Sequence, residues 1–378
     1  MVTIAFAGGG TGGHIYPGLA VAGALRGRFP CRIFWIGANT GMDRAIVEEA
    51  GVEFYGIPAG KLRRYFSLRN FIDIFRVFLG YFAARKILKR EKPALLFSKG
   101  GFVSVPPCAA ASRLGISVFT HESDYSPGLA TRINLRFASR VFTAFPDTVN
   151  FLSPAYRSKA SCVGNPVRPD FKEADAAKGR AFLGLDQNAR ILLVLGGSLG
   201  AVRLNTLVRE SLPALKKWYV VVHQTGPHAE WDIPPDDSYK PYPFIHGEMP
   251  HVIAAAELVL CRSGAGTVFE CASLAKPMIL LPLSGSGTRG DQVENAKCLE
   301  KAGAAVILKS AANSSGALSA EDVAEAVGRL AEDGEKRRTM ANAASSFAPM
   351  DGAAVIAGAL SDEMSKYPAG VKEGAGKT

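Results

Sequence analysis

One layout occurs twice in this chain: an apolar run, a glycine-rich loop and then a segment with helical periodicity. The run at 2–7 leads into the loop 8–14 and a helical pattern at 16–26, and 191–195 leads into 196–200 and 201–212. A short strand that turns sharply into a helix is the repeating unit of parallel-sheet α/β proteins. The sequence therefore predicts two α/β domains in tandem, each built on a parallel sheet.

Further apolar runs extend this pattern, with strands predicted at 32–36, 54–57, 94–98, 117–121, 140–144 and 258–261 and a helix at 43–50. Gly and Pro punctuate the chain near 162–166, which predicts an N-terminal domain at 1–163 and a C-terminal domain at 164–349. The Pro- and Asp-rich stretch 227–243 is expected to be irregular, and 367–378 to be a flexible tail.

The composition narrows the class of protein. Of 378 residues, 48% are hydrophobic and 21% charged, which is typical of a globular chain. The first residues lack the basic segment of a signal peptide, and Asp73 and Arg76 interrupt the longest apolar stretch, so no bilayer-spanning segment is expected. The six cysteines are widely spaced and no D-x-D motif is present, so we predict neither a metal site nor a cofactor.

The first glycine loop contains G-x-G-x-x-G, the fingerprint of a dinucleotide site. That fingerprint also needs an acidic residue at the end of the second strand, where this chain has Ile36-Gly37-Ala38-Asn39. NAD or FAD is therefore disfavoured, and a site for an anion or sugar diphosphate at the helix N-terminus remains. His14 follows the loop, where the helix dipole disfavours the imidazolium; it is a candidate general base, or a histidine that merely packs there.

Two more polar loops follow predicted strands, 98–104 and 121–124, at the sheet edge where ligands bind. The pair His121-Glu122 could position a hydroxyl or bind phosphate, or it could tie loops together. In the second half, 196–198 forms another anion loop, and 262–270 places Glu270 where it could accept hydrogen bonds from ribose hydroxyls or lie solvated on a helix. Asp291-Gln292 suits sugar hydroxyls, although Asp291 could be a helix N-cap.

The formal charge of +10 is concentrated in residues 61–92, which hold ten Lys or Arg and two acids, a net of +8. Seven aromatics accompany these charges, and Phe71, Phe75, Phe78 and Phe82 share one helical face. Such a segment favours an anionic membrane surface, with the alternative that the aromatic stripe faces the protein core. Nucleic acid is disfavoured because no nucleic-acid motif accompanies the charge. The predicted membrane contacts are Phe75, Phe78, Leu79, Phe82, Arg85 and Lys86.

Seven motifs, in order, resemble the MurG family of bacterial glycosyltransferases; they lie at 9–20, 98–106, 121–132, 164–168, 196–201, 262–270 and 291–296. The resemblance implies a GT-B fold, two Rossmann-like domains with parallel sheets facing a deep cleft, with a C-terminal helix at about 350–366 returning to the first domain. It implies inverting, metal-independent transfer of GlcNAc from UDP-GlcNAc to the C4 hydroxyl of undecaprenyl-diphospho-MurNAc-pentapeptide. This places the protein peripherally on the cytoplasmic face of the bacterial membrane, where other cell-wall synthesis proteins are possible partners.

The resemblance also implies roles for single residues. The donor-binding residues would be Thr11, Gly12, Gly13, Asp124, Arg168, Ser198, Ile245, Glu270 and Gln292. His14 would be the base, with Glu122 as a second catalytic candidate, and His121 and Ser104 would contact the acceptor. Many members of the family read His-Glu-Gln-Asn where this chain has His121-Glu-Ser-Asp124, so an amide that would touch the donor is a carboxylate here.

Two other functions fit parts of the pattern. Another GT-B enzyme, such as a glycolipid synthase or a UDP-GlcNAc epimerase, would share the nucleotide loops. A non-catalytic protein that binds anionic membranes would use the segment 61–92 alone. UDP release that depends on a lipid-linked acceptor distinguishes the expected transferase from both.

Overall fold

A computed structural model describes residues 1–60, 69–197, 200–283, 290–310, 317–348 and 351–367. The chain forms two compact units, which we call the N-terminal unit (Met1–Arg168 with the described residues after 350) and the C-terminal unit (Pro169–Pro349). The division falls at Arg168, later than the predicted 163, because Gly164 and Asn165 bond to side chains of the N-terminal unit.

The described part of the N-terminal unit contains a seven-stranded parallel sheet in the order β3-β2-β1-β4-β5-β6-β7. Its strands are β1 (Val2–Ala7), β2 (Cys31–Ala38), β3 (Glu53–Ile57), β4 (Leu95–Ser98), β5 (Ser117–Glu122), β6 (Arg140–Thr143) and β7 (Ala160–Cys162). Its helices are α1 (Gly12–Arg26), α2 (Asp43–Glu49), α3 (Arg69–Glu91), α4 (Val105–Arg113), α5 (Leu129–Asn134) and α6 (Pro154–Arg157), with short 3₁₀ helices at Phe102–Ser104 and Pro146–Phe151.

Alternation along the strands gives this sheet a core on each face. In β1, Ile4 and Phe6 enter one apolar cluster, whereas Ala5 and Ala7 enter the other, as successive side chains on a strand must. Both faces are covered by helices, so the strands are apolar throughout instead of alternating with polar residues. The C-terminal helix α14 (Gly352–Met364, the last in chain order) packs in the first cluster beside α1.

The described part of the C-terminal unit contains a six-stranded parallel sheet in the order β10-β9-β8-β11-β12-β13. The strands are β8 (Ile191–Leu195), β9 (Val220–Gln224), β10 (Tyr239–Tyr242), β11 (Leu258–Cys261), β12 (Met278–Leu280) and β13 (Ala305–Ile307). The helices are α7 (Ala176–Leu183), α8 (Val202–Leu215), α9 (Met249–Ala255), α10 (Ala265–Ser273), α11 (Asp291–Lys301), α12 (Ala320–Glu332) and α13 (Gly334–Phe347), with a 3₁₀ helix at Pro169–Glu173.

The two predicted parallel-sheet α/β domains are thus confirmed. Sequence reasoning did not predict β7, β9, β12 or β13, and it missed β10, which lies in the stretch expected to be irregular. Its Pro241 cannot donate to a strand ladder, and the structure places β10 at the sheet edge, where proline is tolerated.

Among the described residues, one helical stretch, Gly334–Met364, is long and apolar enough to cross a membrane, judged by length and composition alone. It takes in α13 and α14, which belong to different units, and 44% of its most apolar window is buried inside the protein. Burial in the protein core accounts for much of its apolar character.

Candidate functional site

The loops after β1, β4 and β5 carry the motifs of the first half, and these three strands are neighbours in the sheet. From β1 the chain moves to β2 on one side and later to β4 on the other, so the edge beyond β1 and β4 is a topological switch point. Ligands of open α/β sheets bind at such points. The structure therefore brings the predicted motifs of the N-terminal unit together where a ligand is expected.

A carboxylate that sequence reasoning missed holds the first glycine loop. Asp43, 1% exposed at the start of α2, accepts hydrogen bonds from Gly10 N at 2.9 Å and Ala38 N at 3.1 Å. A Cβ on Gly9 would lie 1.9 Å from Asp43 Oδ2, so this position requires glycine. A dinucleotide site would have an acid at the end of the second strand to bind ribose. In this chain the acid comes a few residues later and binds the loop backbone instead.

His14 lies in the first turn of α1, where its main-chain N–H donates to Thr11 O at 3.1 Å. The loop after β4 passes beside the imidazole, because a Cβ on Gly101 would lie 3.0 Å from His14 Cδ2. Thr11 and Gly13 are exposed, Gly12 is buried and His14 is half-buried. The candidate base and the predicted donor-closing residues thus share one loop with an open outer edge.

The pair His121-Glu122 has internal partners. His121 is fully buried with its Nε2 3.0 Å from Gly164 O, and burial together with the Lys99 charge holds its pKa well below the usual range. Both Glu122 oxygens accept main-chain hydrogen bonds, from Asp124 N and Gly128 N at 3.0 Å each. Burial and the nearby Asp124 raise the Glu122 pKa. These side chains brace the loop, so we assign neither a direct acceptor contact to His121 nor a catalytic role to Glu122.

Ser104 is also an internal residue. Its hydroxyl donates to Gly101 O and accepts from Asn134 Nδ2, each at 2.8 Å, and the side chain is fully buried. The predicted acceptor contact of Ser104 is therefore replaced by a role in holding the loop after β4 against α5.

Two predicted donor-binding residues of the N-terminal unit are accessible. Asp124 is half-buried at the open end of the loop after β5. Arg168, the last residue of this unit, is half-buried, with its guanidinium 5.9 Å from the centre of the Tyr16 ring. The sequence had assigned Arg168 to the C-terminal domain.

The C-terminal unit has its own switch point, because β8 is followed by β9 on one side and later by β11 on the other. The loops after β8 and β11 are the two glycine-containing motifs of the second half. Gly200, with a φ of 78°, passes so close to β9 that a Cβ there would lie 2.4 Å from Thr225 O. Ser198 lies outside the described residues.

Helix α10 begins at the end of the second of these loops. Its N-cap is Gly264, which has no side chain to cap the first N–H groups, and a Cβ on Gly264 or Gly266 would meet no described atom within 4 Å. Uncapped N–H groups at a helix N-terminus can bind an anion such as a diphosphate, and Gly264 leaves room beside them. Glu270 lies on the same helix and is half-buried.

Gln292 lies in the first turn of α11, next to the loop after β11. Its side-chain oxygen accepts from Leu283 N at 2.9 Å and from Arg262 Nε at 3.3 Å, and its main-chain oxygen accepts from Ser263 Oγ at 2.6 Å. The amide NH₂ has no acceptor among the described residues, and it could donate to a sugar hydroxyl. The N-cap of α11 is Gly290, so the alternative N-cap role for Asp291 is wrong.

Ile245, the other predicted donor contact, is buried, and its N–H donates to Gln224 Oε1 at 3.0 Å. A contact between Ile245 and the sugar nucleotide would therefore have to use its carbonyl group or the main chain that follows it.

Helix α3 carries the aromatic stripe, and the structure shows which way it faces. Gly80, Ala84 and Leu88 are buried on the side that packs against α4. The opposite side exposes 61% of Phe75, 58% of Phe78, 42% of Leu79 and 50% of Phe82. Lys86 is exposed and Arg85 half-buried on the same helix. The alternative of a core-facing stripe is therefore wrong for these residues; the side chain of Phe71 lies outside the described set.

Comparison with known proteins adds the family. Residues 4–143 match the glycosyltransferase family 28 N-terminal domain, and residues 191–355 match the glycosyltransferase family 28 C-terminal domain. A UDP-N-acetylglucosamine–N-acetylmuramyl-(pentapeptide) pyrophosphoryl-undecaprenol N-acetylglucosamine transferase of Treponema denticola is 51% identical, over 82% of this chain and 84% of its own. The protein of the same name from Staphylococcus carnosus is 41% identical, over 82% and 84%.

Solved structures agree with these matches. MurG of Acinetobacter baumannii superposes with a TM-score of 0.70 at 25% identity, covering 96% of this chain and 100% of its own. The kitacinnamycin glycosyltransferase, with a TM-score of 0.72 at 15% identity over 96% and 99% of the two chains, shares the fold. The GT-B fold expected from the motifs is confirmed. The chain belongs to glycosyltransferase family 28 and, within it, to the UDP-N-acetylglucosamine–N-acetylmuramyl-(pentapeptide) pyrophosphoryl-undecaprenol N-acetylglucosamine transferases.

Proposed function

We propose that this enzyme transfers GlcNAc from UDP-GlcNAc to the C4 hydroxyl of undecaprenyl-diphospho-MurNAc-pentapeptide, with inversion at the anomeric carbon. Relatives named for a reaction between these compounds match four-fifths of the chain. The structural observation that carries the proposal is His14, a half-buried imidazole in the first turn of α1, on a glycine loop at the switch point of its sheet.

His14 is proposed as the general base. The imidazole takes the proton of the acceptor hydroxyl as that oxygen bonds to C1 of GlcNAc, and the bond from C1 to the diphosphate breaks, so UDP leaves with the electron pair. Thr11 and Gly13 on the same loop expose groups that can contact the donor sugar.

The C-terminal unit supplies most of the proposed donor contacts. The uncapped N–H groups of α10 and the loop 196–200 stabilise the charge that develops on the departing diphosphate, and Arg168 of the N-terminal unit is proposed to add a cation. Glu270 accepts hydrogen bonds from the ribose hydroxyls, and the Gln292 amide donates to a GlcNAc hydroxyl. Because the sequence has no D-x-D motif, we propose that these groups act without a bound metal or cofactor.

His14→Ala tests the base. We expect turnover to fall about 100-fold or more, the usual contribution of a general base, while the affinity for UDP stays within about twofold. His14→Asn retains a polar group of similar size without the basic nitrogen and should be equally impaired. Unchanged turnover in both variants would overturn the assignment.

We further propose that the exposed face of α3 docks on the anionic cytoplasmic surface of the membrane that holds the acceptor. Four large apolar side chains are exposed on one helix face, within a segment of net charge +8. Soluble proteins rarely leave such clusters uncovered, and basic residues add affinity for acidic lipids.

Vesicle sedimentation tests this docking. Replacing Phe75, Phe78 and Phe82 together with Ser should abolish binding to vesicles containing phosphatidylglycerol, without changing UDP affinity. Val355→Ser is the matched control, because Val355 is 44% exposed on another helix of the same unit. Equal vesicle binding by the triple variant and the control would contradict the proposal.

A further inference from the structure

Lys99 is a buried lysine that the proposed mechanism does not use. It directly follows β4, is 1% exposed, and its main-chain N–H donates to Ala7 O at 2.8 Å. A Cβ on Gly8 would lie 3.3 Å from the Lys99 Cβ, so the side chain starts beneath the first glycine loop. Burying an ammonium is costly unless acceptors and negative charges surround it. The partners of Lys99 therefore indicate what the side chain does.

The ammonium begins a chain of hydrogen bonds that ends far along the sequence. Lys99 Nζ donates to Ser123 Oγ, and Ser123 Oγ donates to Asn165 Oδ1 at 2.8 Å. The serine hydroxyl cannot donate to Lys99, because an ammonium has no lone pair with which to accept a hydrogen bond. All three residues are at least nine-tenths buried. The relay, as we call Lys99, Ser123 and Asn165, thus has a defined direction from cation to amide oxygen.

A second bond acts next to the relay. His121 Nε2 lies 3.0 Å from Gly164 O, and because a carbonyl oxygen can only accept, the imidazole Nε2–H donates to it. His121, near the end of β5, and Ser123, just after it, therefore hold two consecutive residues, Gly164 and Asn165. The carboxylates of Glu122 and Asp124 stabilise the ammonium, while burial lowers the pKa of Lys99 to about 8.

The segment held in this way leads directly to Arg168. Pro166 follows Asn165 and restricts the backbone, and Arg168 comes two residues later with its guanidinium over the Tyr16 ring. We propose that Lys99 is a positioning residue for donor binding, which acts through Ser123 and Asn165 to fix the segment that presents Arg168. This inference rests on the proposed contact between Arg168 and the donor diphosphate.

A double-mutant cycle on the full-length enzyme tests the inference, with UDP affinity measured by calorimetry. Lys99→Met and Ser123→Ala should each weaken UDP binding about tenfold when Arg168 is present. In the Arg168→Ala background the same changes should alter it by less than about twofold. Ser123→Thr retains the hydroxyl and should preserve affinity. Thr120→Val is the matched control, because Thr120 is buried on β5 and its hydroxyl has no hydrogen-bond partner among the described residues.

The possible failures are distinguishable. Equal losses in both backgrounds, or no loss with Arg168 present, would overturn the positioning role of Lys99. If Lys99→Met does not fold, Ser123→Ala and Ser123→Thr decide the question alone. If Arg168→Ala by itself leaves UDP affinity unchanged, the proposed contact of Arg168 with the donor is wrong, and the inference fails with it for that separate reason.

Discussion

Asp43→Asn is expected to destabilise the first glycine loop and slow turnover without affecting UDP binding. The two carboxylate oxygens accept from Gly10 N and Ala38 N at 2.9 and 3.1 Å, and the side chain is 1% exposed. Asparagine has one oxygen. At the Oδ1 position this oxygen leaves Ala38 N–H without an acceptor; at the Oδ2 position it accepts from both N–H groups at 3.1 Å, but its NH₂ then points at Gly10 N–H in place of the 2.9 Å bond. In either orientation one hydrogen bond to the carboxylate is lost, which costs roughly 1–3 kcal/mol.

For a unit of this size, a loss of about 2 kcal/mol, the middle of that range, lowers the Tm by about 4–8 °C. Differential scanning fluorimetry measures the Tm, and acceptor-dependent UDP release measures turnover. Glu48→Gln is the control, because Glu48 lies on the same helix, is 49% exposed and forms an exposed pair with Arg44 that contributes little. A Tm and turnover equal to those of this control would refute the bracing role of Asp43.

Three further outcomes are expected. Burial lowers the pKa of Lys99 to about 8 in the folded protein, against 10.5 for an unperturbed lysine, so the unfolded chain binds more protons between these pH values. The free energy of unfolding should therefore rise with pH across that window, by roughly 3 kcal/mol at most, and Lys99→Met should lose this rise in denaturant titrations. Glu270→Gln should weaken UDP binding about tenfold but leave the binding of thymidine diphosphate unchanged, because that nucleotide lacks the 2′-hydroxyl. Equal weakening of both would argue against ribose recognition. Adding EDTA should leave turnover unchanged, and a loss restored by a divalent cation would show that metal is required.

Much of the fold could be predicted because apolar runs and glycine loops are local signals. The strands β1, β8 and β11 begin and end where the sequence predicted them, since each run is bounded by polar or glycine residues. The right-handed crossover of parallel units determines which face of the sheet each connecting helix covers, but it does not fix the strand order. Strand β10 was missed because a proline interrupts it at an edge.

The bracing residues could not be predicted, because their partners are distant in sequence. Ser123 and His121 bond to residues 42 and 43 positions away, and Asp43 reaches back 33 positions to Gly10. Sequence patterns mark such polar residues as notable without showing whether they face a ligand or another loop. This is why His121, Glu122 and Ser104 were expected at the ligand and are found inside the unit.

The aromatic stripe of α3 shows the same limit in another form. Helical periodicity places Phe75, Phe78 and Phe82 on one face, but it does not show whether another element covers that face. On the opposite side the small residues Gly80 and Ala84 are buried, and a Cβ on Gly80 would lie 2.4 Å from Pro58 O and 3.4 Å from Pro106 Cγ of α4.

The most direct test of the proposed reaction is UDP release from UDP-GlcNAc with and without a lipid-diphospho-MurNAc-pentapeptide acceptor. We expect release only when the acceptor is present, with one GlcNAc joined to the acceptor for each UDP formed. Release of UDP at the same rate without acceptor, or conversion of UDP-GlcNAc to an epimer, would contradict the proposed transfer.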